Sequence, residues 1–122
     1  MFGGQQFTWL FSSAFLRNQQ VVQETVALLA SNPKSVGPEA YERQARADPQ
    51  FDASDRLGLI KTPTLVIVGE QDLLTPPWIA REVADGIPGA RFEIVTGDGS
   101  SHVLPLERPD DFNQLVMNFL AG

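Results

Sequence analysis

The pattern of apolar and polar positions changes near Pro63, and the second half of the chain alternates strands with helices. Residues 64–68 form a continuous apolar run rich in β-branched side chains, which is typical of a strand buried on both faces. Residues 77–85 read as an amphipathic helix, with Gly86 at its predicted C-terminal cap, and residues 91–95 read as the next strand. A strand–helix–strand order predicts two parallel, neighbouring strands joined by a crossover.

The last predicted helix covers residues 109–120, with Pro109 suited to its first turn. Its apolar residues follow the i, i+3, i+4, i+7, i+8 spacing of a helix that lies on a sheet. These residues are Phe112, Leu115, Val116, Phe119 and Leu120.

The first half of the chain predicts helices separated by breaks. Residues 8–16 are apolar and aromatic, residues 19–30 form a stronger helix that Asn32 and Pro33 end, and residues 38–47 form another helix. A short turn at 53–57 follows, with Asp52 as its cap. The apolar face of the 19–30 helix consists of Val22, Val26 and Leu29. Short helices with polar outer faces do not make a core by themselves, so we expect residues 1–60 to cover another part of the fold.

Composition narrows the classes of function. The chain has 122 residues, of which 43% are hydrophobic and 20% are charged, as expected for one small globular domain. A formal net charge of −6 argues against nucleic acids and anionic membranes as partners. With no cysteine and a single histidine, disulfides and thiolate catalysis are excluded, and we predict neither a metal nor a cofactor.

Targeting signals are also not expected. No stretch reaches the roughly 20 apolar residues that span a bilayer. Residues 1–6, which precede the first apolar segment, contain no basic side chain of the kind that opens a secretory signal. We therefore predict a cytoplasmic protein, and the absence of cysteine is compatible with a reducing compartment.

Two candidate catalytic residues follow the two predicted strands. Asp72 comes three residues after Gly69, and His102 lies in the loop after the second strand. Functional groups gather beyond the carboxyl ends of parallel strands, so we expect the two side chains to lie close together. A carboxylate that accepts Nδ1–H from an imidazole fixes its tautomer and stabilises the imidazolium. Glu70 and Asp98 are rival acids, of which the first lies too near the strand end and the second suits a turn.

The second half of the chain also resembles a known family. Residues 61–120 are similar to the C-terminal part of α/β-hydrolase-fold proteins of the esterase, lactonase and haloperoxidase type. The matching stretches are Pro63-Thr-Leu-Val-Ile-Val-Gly-Glu-Gln-Asp72, Pro76-Pro77, Ile87-Pro-Gly-Ala90, His102, and Glu107-Arg-Pro109 followed by Phe112-Asn113.

The resemblance implies a partial α/β-hydrolase fold, with a helical cap segment followed by two parallel strands, their crossover and a C-terminal helix. It divides the chain into a cap-like segment, residues 1–60, and a strand–helix–strand–helix part of the core, residues 61–122. It implies that Asp72 is the triad acid and His102 the triad base of a serine hydrolase, in which the nucleophile precedes both.

The sequence departs from the family pattern in two ways. Ser101 stands where the family usually has a glycine before the histidine. The motif Gly-x-Ser-x-Gly, which carries the nucleophile, does not occur in the sequence, and six strands and the oxyanion-hole loop would belong upstream. Ser100 and Ser101 are unsuitable substitutes, because a neighbour in the same loop rarely reaches both the base and oxyanion donors; we expect their hydroxyls to bond local backbone.

Four aromatic residues allow two interpretations. Trp9, Phe11 and Phe15 would either line an acyl pocket or pack their own helices, and Trp78 is equally ambiguous.

Three functional hypotheses remain. The chain is part of an esterase or lactonase completed by a nucleophile-bearing partner, or a non-catalytic module that self-associates, or a truncated product without function of its own. The isolated chain is predicted to be inactive. Because two strands bury little apolar surface and residues 64–68 would have an open edge, we predict a two-fold homodimer unless an N-terminal hydrolase half complements the chain.

Overall fold

The structure, a computed structural model, describes residues 7–31 and 37–122. Two strands and seven α-helices form in this part of the chain. They are α1 (Phe7–Leu10), α2 (Ser13–Leu16), α3 (Gln19–Ala30), α4 (Pro38–Ala47), β1 (Leu65–Gly69), α5 (Pro77–Gly86), β2 (Arg91–Val95), α6 (Leu104–Glu107) and α7 (Pro109–Leu120). Two 3₁₀ turns, Asp48–Gln50 and Ser54–Leu59, lie between α4 and β1.

The two strands form a parallel sheet with α5 as their connection, which confirms the predicted α/β class. Leu65 lies opposite Arg91, and Gly69 lies opposite Val95. The first strand begins and ends one residue later than predicted, because Gly69 still pairs with the partner strand. In the described residues β1 has one strand neighbour, so its other edge carries no strand pairing.

The buried apolar core of the described residues is small and contains residues of both strands, of α5 and the position after it, of α6, and of the segment between α1 and α2. Its members are Phe11, Val68, Ala84, Ile87, Val95 and Leu104. Val68 and Val95 lie near the carboxyl ends of the strands, the edge where Asp72 and His102 are expected, whereas Ala84 and Ile87 lie at the end of α5 that leads into β2.

Gly86 plays a different part from the one predicted. It is the last residue of α5, while Ile87 caps the helix in an extended conformation, and Gly86 is not among the glycines with positive φ. A Cβ at Gly86 would lie 2.6 Å from Leu57 Cδ1. The glycine therefore permits close packing of the Ser54–Leu59 turn against α5.

The first half of the chain forms the predicted helices, with one break. Residues 8–16, predicted as one segment, form α1 and α2, because Ser12 caps α2 through a 3.2 Å hydrogen bond from Phe15 N to its Oγ. The bounds of α3 and α4 are those predicted, whereas Asn32 and Pro33 lie outside the described residues. Val26 and Leu29, on the predicted apolar face of α3, are exposed. Val22, the third residue of that face, is half-buried, so the described part of the chain covers the face only in part.

The turn before β1 runs over Ser54–Leu59, later than the predicted 53–57. Asp52 Oδ1 accepts hydrogen bonds from Ser54 Oγ at 2.5 Å and Ser54 N at 2.9 Å. The hydroxyl and then the amide of Ser54, with a smaller contribution from Arg56, lower the pKa of Asp52 below its ordinary value. Asp52 therefore holds Ser54, the first residue of the turn, whereas the residue at the N-cap is Ala53 and not Asp52 as predicted.

The final helix α7 has the predicted bounds. Four of its five predicted apolar positions are half-buried, whereas Leu120 is exposed. Over residues 7–31 and 37–122, none of the helices has the length and apolar character that crossing a membrane requires.

Candidate functional site

Asp72 is held by the turn that follows β1. Its amide donates to the Gly69 carbonyl at 3.1 Å. Its Oδ1 accepts from Leu74 N at 2.9 Å and Thr75 N at 2.8 Å, and its Oδ2 accepts from Thr75 Oγ1 at 2.9 Å. The residue is only 6% exposed. Donors on both oxygens therefore fix the carboxylate before any contact with histidine is counted.

His102 lies against this carboxylate, as its position in the sequence predicts. Its Nδ1 is 3.0 Å from Asp72 Oδ2 and 3.2 Å from Oδ1. Thr75 Oγ1, whose proton is directed to Asp72 Oδ2, lies 3.2 Å from the same nitrogen. Because an ionised carboxylate only accepts hydrogen bonds, Nδ1 is the donor, and in the neutral imidazole Nε2 is the acceptor. The His102 side chain is 32% exposed, so the ring is partly accessible to solvent.

A close backbone approach brings the two loops together. Gln71 N donates to the Ser100 carbonyl at 2.8 Å, and Glu70 N donates to Val95 O at 2.8 Å. A Cβ at Gly69 would lie only 2.1 Å from Ser100 O and 2.5 Å from Ser100 C. A side chain at position 69 would therefore push the histidine loop away from β1.

The rival acids have other contacts. Glu70 Oε2 accepts from Gly97 N at 3.0 Å and so braces the start of the histidine loop. At Asp98 the recorded acceptor is the backbone carbonyl, which accepts from Arg108 Nη1 at 2.9 Å. The hydrogen-bond partners found for the His102 ring are Asp72 and Thr75, which favours Asp72 among the three acids.

The two serines before His102 hold the loop together. Ser100 is 0% and Ser101 2% exposed. Ser100 Oγ donates to the Gly97 carbonyl at 2.6 Å, which is the local backbone bond expected for it. Ser101 Oγ instead donates to a side chain, Glu107 Oε1, at 2.6 Å. Neither hydroxyl is open to a substrate.

Two residues of the site were missed at the level of sequence. Thr75 contacts both Asp72 and His102. Because it lies three residues after an aspartate, the sequence could have indicated a local turn at this position. Glu107 accepts from Ser101 and from Ser12, which is 95 residues away in the sequence. No pattern of neighbouring residues in the sequence predicts a hydrogen-bond partner at that separation.

The aromatic residues divide between the two interpretations. Phe11 is buried and stacks on Phe15, with ring centroids 4.1 Å apart and an interplanar angle of 21°. This contact supports helix packing for both. Trp9 and Trp78 are exposed, and both remain available to line a site.

Other candidate sites are weaker. A surface cleft of about 300 Å³ between β2 and α7 includes Thr96, Arg108 and Asp111, but neither Asp72 nor His102. Within the described residues, no three His, Cys, Asp or Glu side chains are grouped so that they could hold a metal ion. The geometry thus supplies a buried carboxylate and a partly exposed imidazole oriented by it.

Comparison with known proteins gives consistent matches. No family model matches the chain. The chain is 31% identical over 112 residues to the non-heme bromoperoxidase BpoC of Mycobacterium tuberculosis, covering 92% of this chain and 42% of the relative. It is 39% identical over 72 residues to the carbamate hydrolase RutD of Rhizobium rhizogenes, covering 59% of this chain and 27% of the relative.

Among solved structures, the enol-lactonase from Burkholderia xenovorans matches with a TM-score of 0.79 and 30% identity, covering 97% of this chain and 43% of that one. The relatives and structural neighbours are α/β-hydrolase-fold proteins, among them esterases, lactonases and bromoperoxidases. The chain spans less than half the length of the curated relatives that it matches.

Proposed function

Because this chain belongs to the α/β-hydrolase-fold family, we propose that Asp72 and His102 are the acid and base of a serine-hydrolase triad that cleaves carboxylic esters or lactones. The observation that carries the proposal is the 3.0 Å contact between buried Asp72 Oδ2 and His102 Nδ1. It orients the imidazole as a base of this kind requires.

The reaction follows from this orientation. His102 Nε2 takes the proton of a serine hydroxyl while the serine Oγ attacks the acyl carbon, and the imidazolium then gives that proton to the leaving alkoxide. Water next attacks the acyl-enzyme. His102 takes a proton from that water and returns it to the serine, and the carboxylic acid is released. Asp72 stays ionised throughout and stabilises the imidazolium.

The nucleophile in this proposal lies outside these 122 residues, on a polypeptide that carries Gly-x-Ser-x-Gly and the oxyanion-hole donors. The exposed face of His102 is where its serine would be placed. The 122-residue chain by itself is expected to be inactive.

The substrate class rests on the relatives. An enol-lactonase and a carbamate hydrolase both act, by their names, on acyl carbons bonded to oxygen or nitrogen. For this chain we propose only esters and lactones as substrates. A cytoplasmic location also remains a prediction, with which the lack of cysteine is compatible.

A fusion protein tests the proposal. The region of the Burkholderia xenovorans enol-lactonase that this chain matches is replaced by residues 1–122, so that the enzyme supplies the nucleophile. Hydrolysis of p-nitrophenyl acetate is then compared for the fusion and its His102→Ala and Asp98→Ala variants. We expect His102→Ala to lower kcat by about 10³-fold or more and Asp98→Ala to change it little.

The fusion has two informative failures. An active fusion that retains its rate with His102→Ala contradicts the proposal. If the fusion does not fold, the proposal is tested in the isolated chain instead. There Asp72→Asn is expected to change the tautomer of His102, and an unchanged tautomer contradicts the proposed pairing.

A second candidate function is a non-catalytic module that self-associates. It is favoured by the unpaired edge of β1 in the described residues and by large exposed apolar side chains, including Met117 and Leu120 on α7. A homodimer would cover such surfaces, as would a complementing hydrolase half. An active fusion together with a monomeric isolated chain would reject this candidate.

A further inference from the structure

We propose that Glu107 is a positioning residue that holds His102 in place through Ser101 and fixes the junction of α1 and α2 to the same loop through Ser12. The inference rests on the proposed function, since it assigns a role to Glu107 only through the proposed base. It goes beyond the Asp72–His102 pair because it concerns the second carboxylate of the site.

The residues on both sides of His102 are tied to Glu107. Ser101 Oγ donates to Glu107 Oε1 at 2.6 Å. Ser101 Oγ also accepts a hydrogen bond from Val103 N at 3.2 Å. A chain of hydrogen bonds therefore runs from the amide after His102, through the hydroxyl before it, to the carboxylate.

The opposite side of Glu107 holds the N-terminal helices. Ser12 N donates to Oε1 at 2.8 Å, and Ser12 Oγ donates to Oε2 at 2.5 Å. Val103 N is also 3.3 Å from the Leu10 carbonyl, so the junction contacts the histidine loop directly. Ser12 and Ser101 are both buried.

Three donors from two distant segments thus converge on one half-buried carboxylate. Hydrogen bonds to an ionised acceptor are shorter than neutral ones and about twice as strong. Removal of the acceptor would leave two buried hydroxyls without their charged partner, which is costly. The loop would then relax, and His102 would spend part of its time away from Asp72.

The link depends on the serine at position 101. The family resemblance would place a glycine there, and a glycine has no hydroxyl to offer. The serine therefore makes a contact that a glycine could not make.

The test uses the 122-residue chain and its single histidine, which gives one imidazole in ¹⁵N spectra. We measure the tautomer of His102 at about pH 9, above the usual titration range of imidazole. Hydrogen exchange of the Ser12 and Val103 amides is followed in the same samples. The variants are Glu107→Ala, the conservative Glu107→Gln, and Ser101→Ala. Ser100→Ala is the matched control, because it removes an adjacent, equally buried hydroxyl that bonds Gly97 instead.

We expect the Nδ1–H tautomer alone in the unmodified chain and a mixture with the Nε2–H tautomer in Glu107→Ala and Ser101→Ala. Hydrogen exchange of both amides should become about tenfold faster in Glu107→Ala, because the loss of one charge-assisted hydrogen bond makes local opening about that much more frequent. Glu107→Gln keeps one carbonyl acceptor and should restore most of the tautomer purity. Ser100→Ala should leave the tautomer unchanged.

Several results would overturn the inference. One is a folded Glu107→Ala variant with an unchanged tautomer, and another is an equal effect in Ser100→Ala. If Glu107→Ala does not fold, rapid exchange of the Ser12 amide in the unmodified chain contradicts the link, and protection supports it. If Asp72→Asn alters the tautomer and Glu107→Ala does not, the inference fails while the proposed function stands. If Asp72→Asn has no effect, the proposed function itself fails.

Discussion

Asp72→Asn is the sharpest test of the acid–base pair, because it changes one oxygen to nitrogen and keeps the shape of the side chain. Oδ1 receives two backbone N–H groups, from Leu74 and Thr75, so the amide should keep its carbonyl on that side. The amide nitrogen then replaces Oδ2, 3.0 Å from His102 Nδ1. Because this nitrogen donates, Nδ1 must become the acceptor, and the proton moves to Nε2. His102 would then present a donor where the proposed mechanism needs a base.

The structure also sets the cost in stability. Asp72 is buried, and its hydrogen bonds to Thr75 and His102 through Oδ2 lose their charged acceptor. A hydrogen bond to a charged group contributes about 1.5–3 kcal/mol and a neutral one about 0.5–1.5 kcal/mol. For two bonds replaced in this way, we expect the free energy of unfolding to fall by about 1–3 kcal/mol.

The assay combines ¹⁵N spectroscopy of the single imidazole with urea unfolding. Asp98→Asn is the matched control, since it makes the same chemical change in the same region of the site and should alter neither the tautomer nor the urea midpoint. The reasoning is refuted if folded Asp72→Asn keeps the Nδ1–H tautomer.

Three further predictions concern activity, packing and assembly. The isolated chain should neither hydrolyse p-nitrophenyl acetate above its His102→Ala variant nor form a covalent adduct with a fluorophosphonate probe, and a labelled serine would contradict this. Gly69→Ala should destabilise the chain by about 1–3 kcal/mol or more, since its Cβ meets the Ser100 backbone, whereas Gly58→Ala, with nothing within 4 Å, should cost less. Sedimentation equilibrium at low micromolar concentration should give a dimer, and a folded monomer of 13.4 kDa would refute the assembly argument.

Most elements of the fold and the contact between Asp72 and His102 could be predicted from the sequence, whereas α6 and the break between α1 and α2 could not. Apolar runs and proline positions located β2, α3, α4 and α7 at their observed bounds, because these signals are local. The contact between Asp72 and His102 followed from the rule that loops after parallel strands share an edge. The predicted division at residue 61 and the chemical roles of the two residues remain predictions.

The sequence could not predict contacts that depend on packing between distant segments. Gly86 looks like a helix cap from its neighbours, yet its small size serves contact with Leu57. The apolar positions Val26 and Leu29 predict a packed face, yet periodicity alone does not say what covers it. Glu107 could be placed before a helix, but not in contact with Ser12.

Two carboxylates, Asp72 in the turn after β1 and Glu107 at the end of α6, each bind different neighbours in the candidate site. Asp72 accepts hydrogen bonds from the amides of its own turn and contacts the imidazole. Glu107 accepts hydrogen bonds from Ser101, which precedes the imidazole, and from Ser12 at the junction of α1 and α2. Gly69 allows the two loops to meet at backbone distance. The contact between Asp72 and His102 is thus formed by groups of this chain alone. In the proposed mechanism a partner supplies both the serine and the oxyanion-hole donors, whereas Asp72 and His102 both lie in this chain. For this reason the proposed pair can be tested in the isolated chain, separately from catalysis.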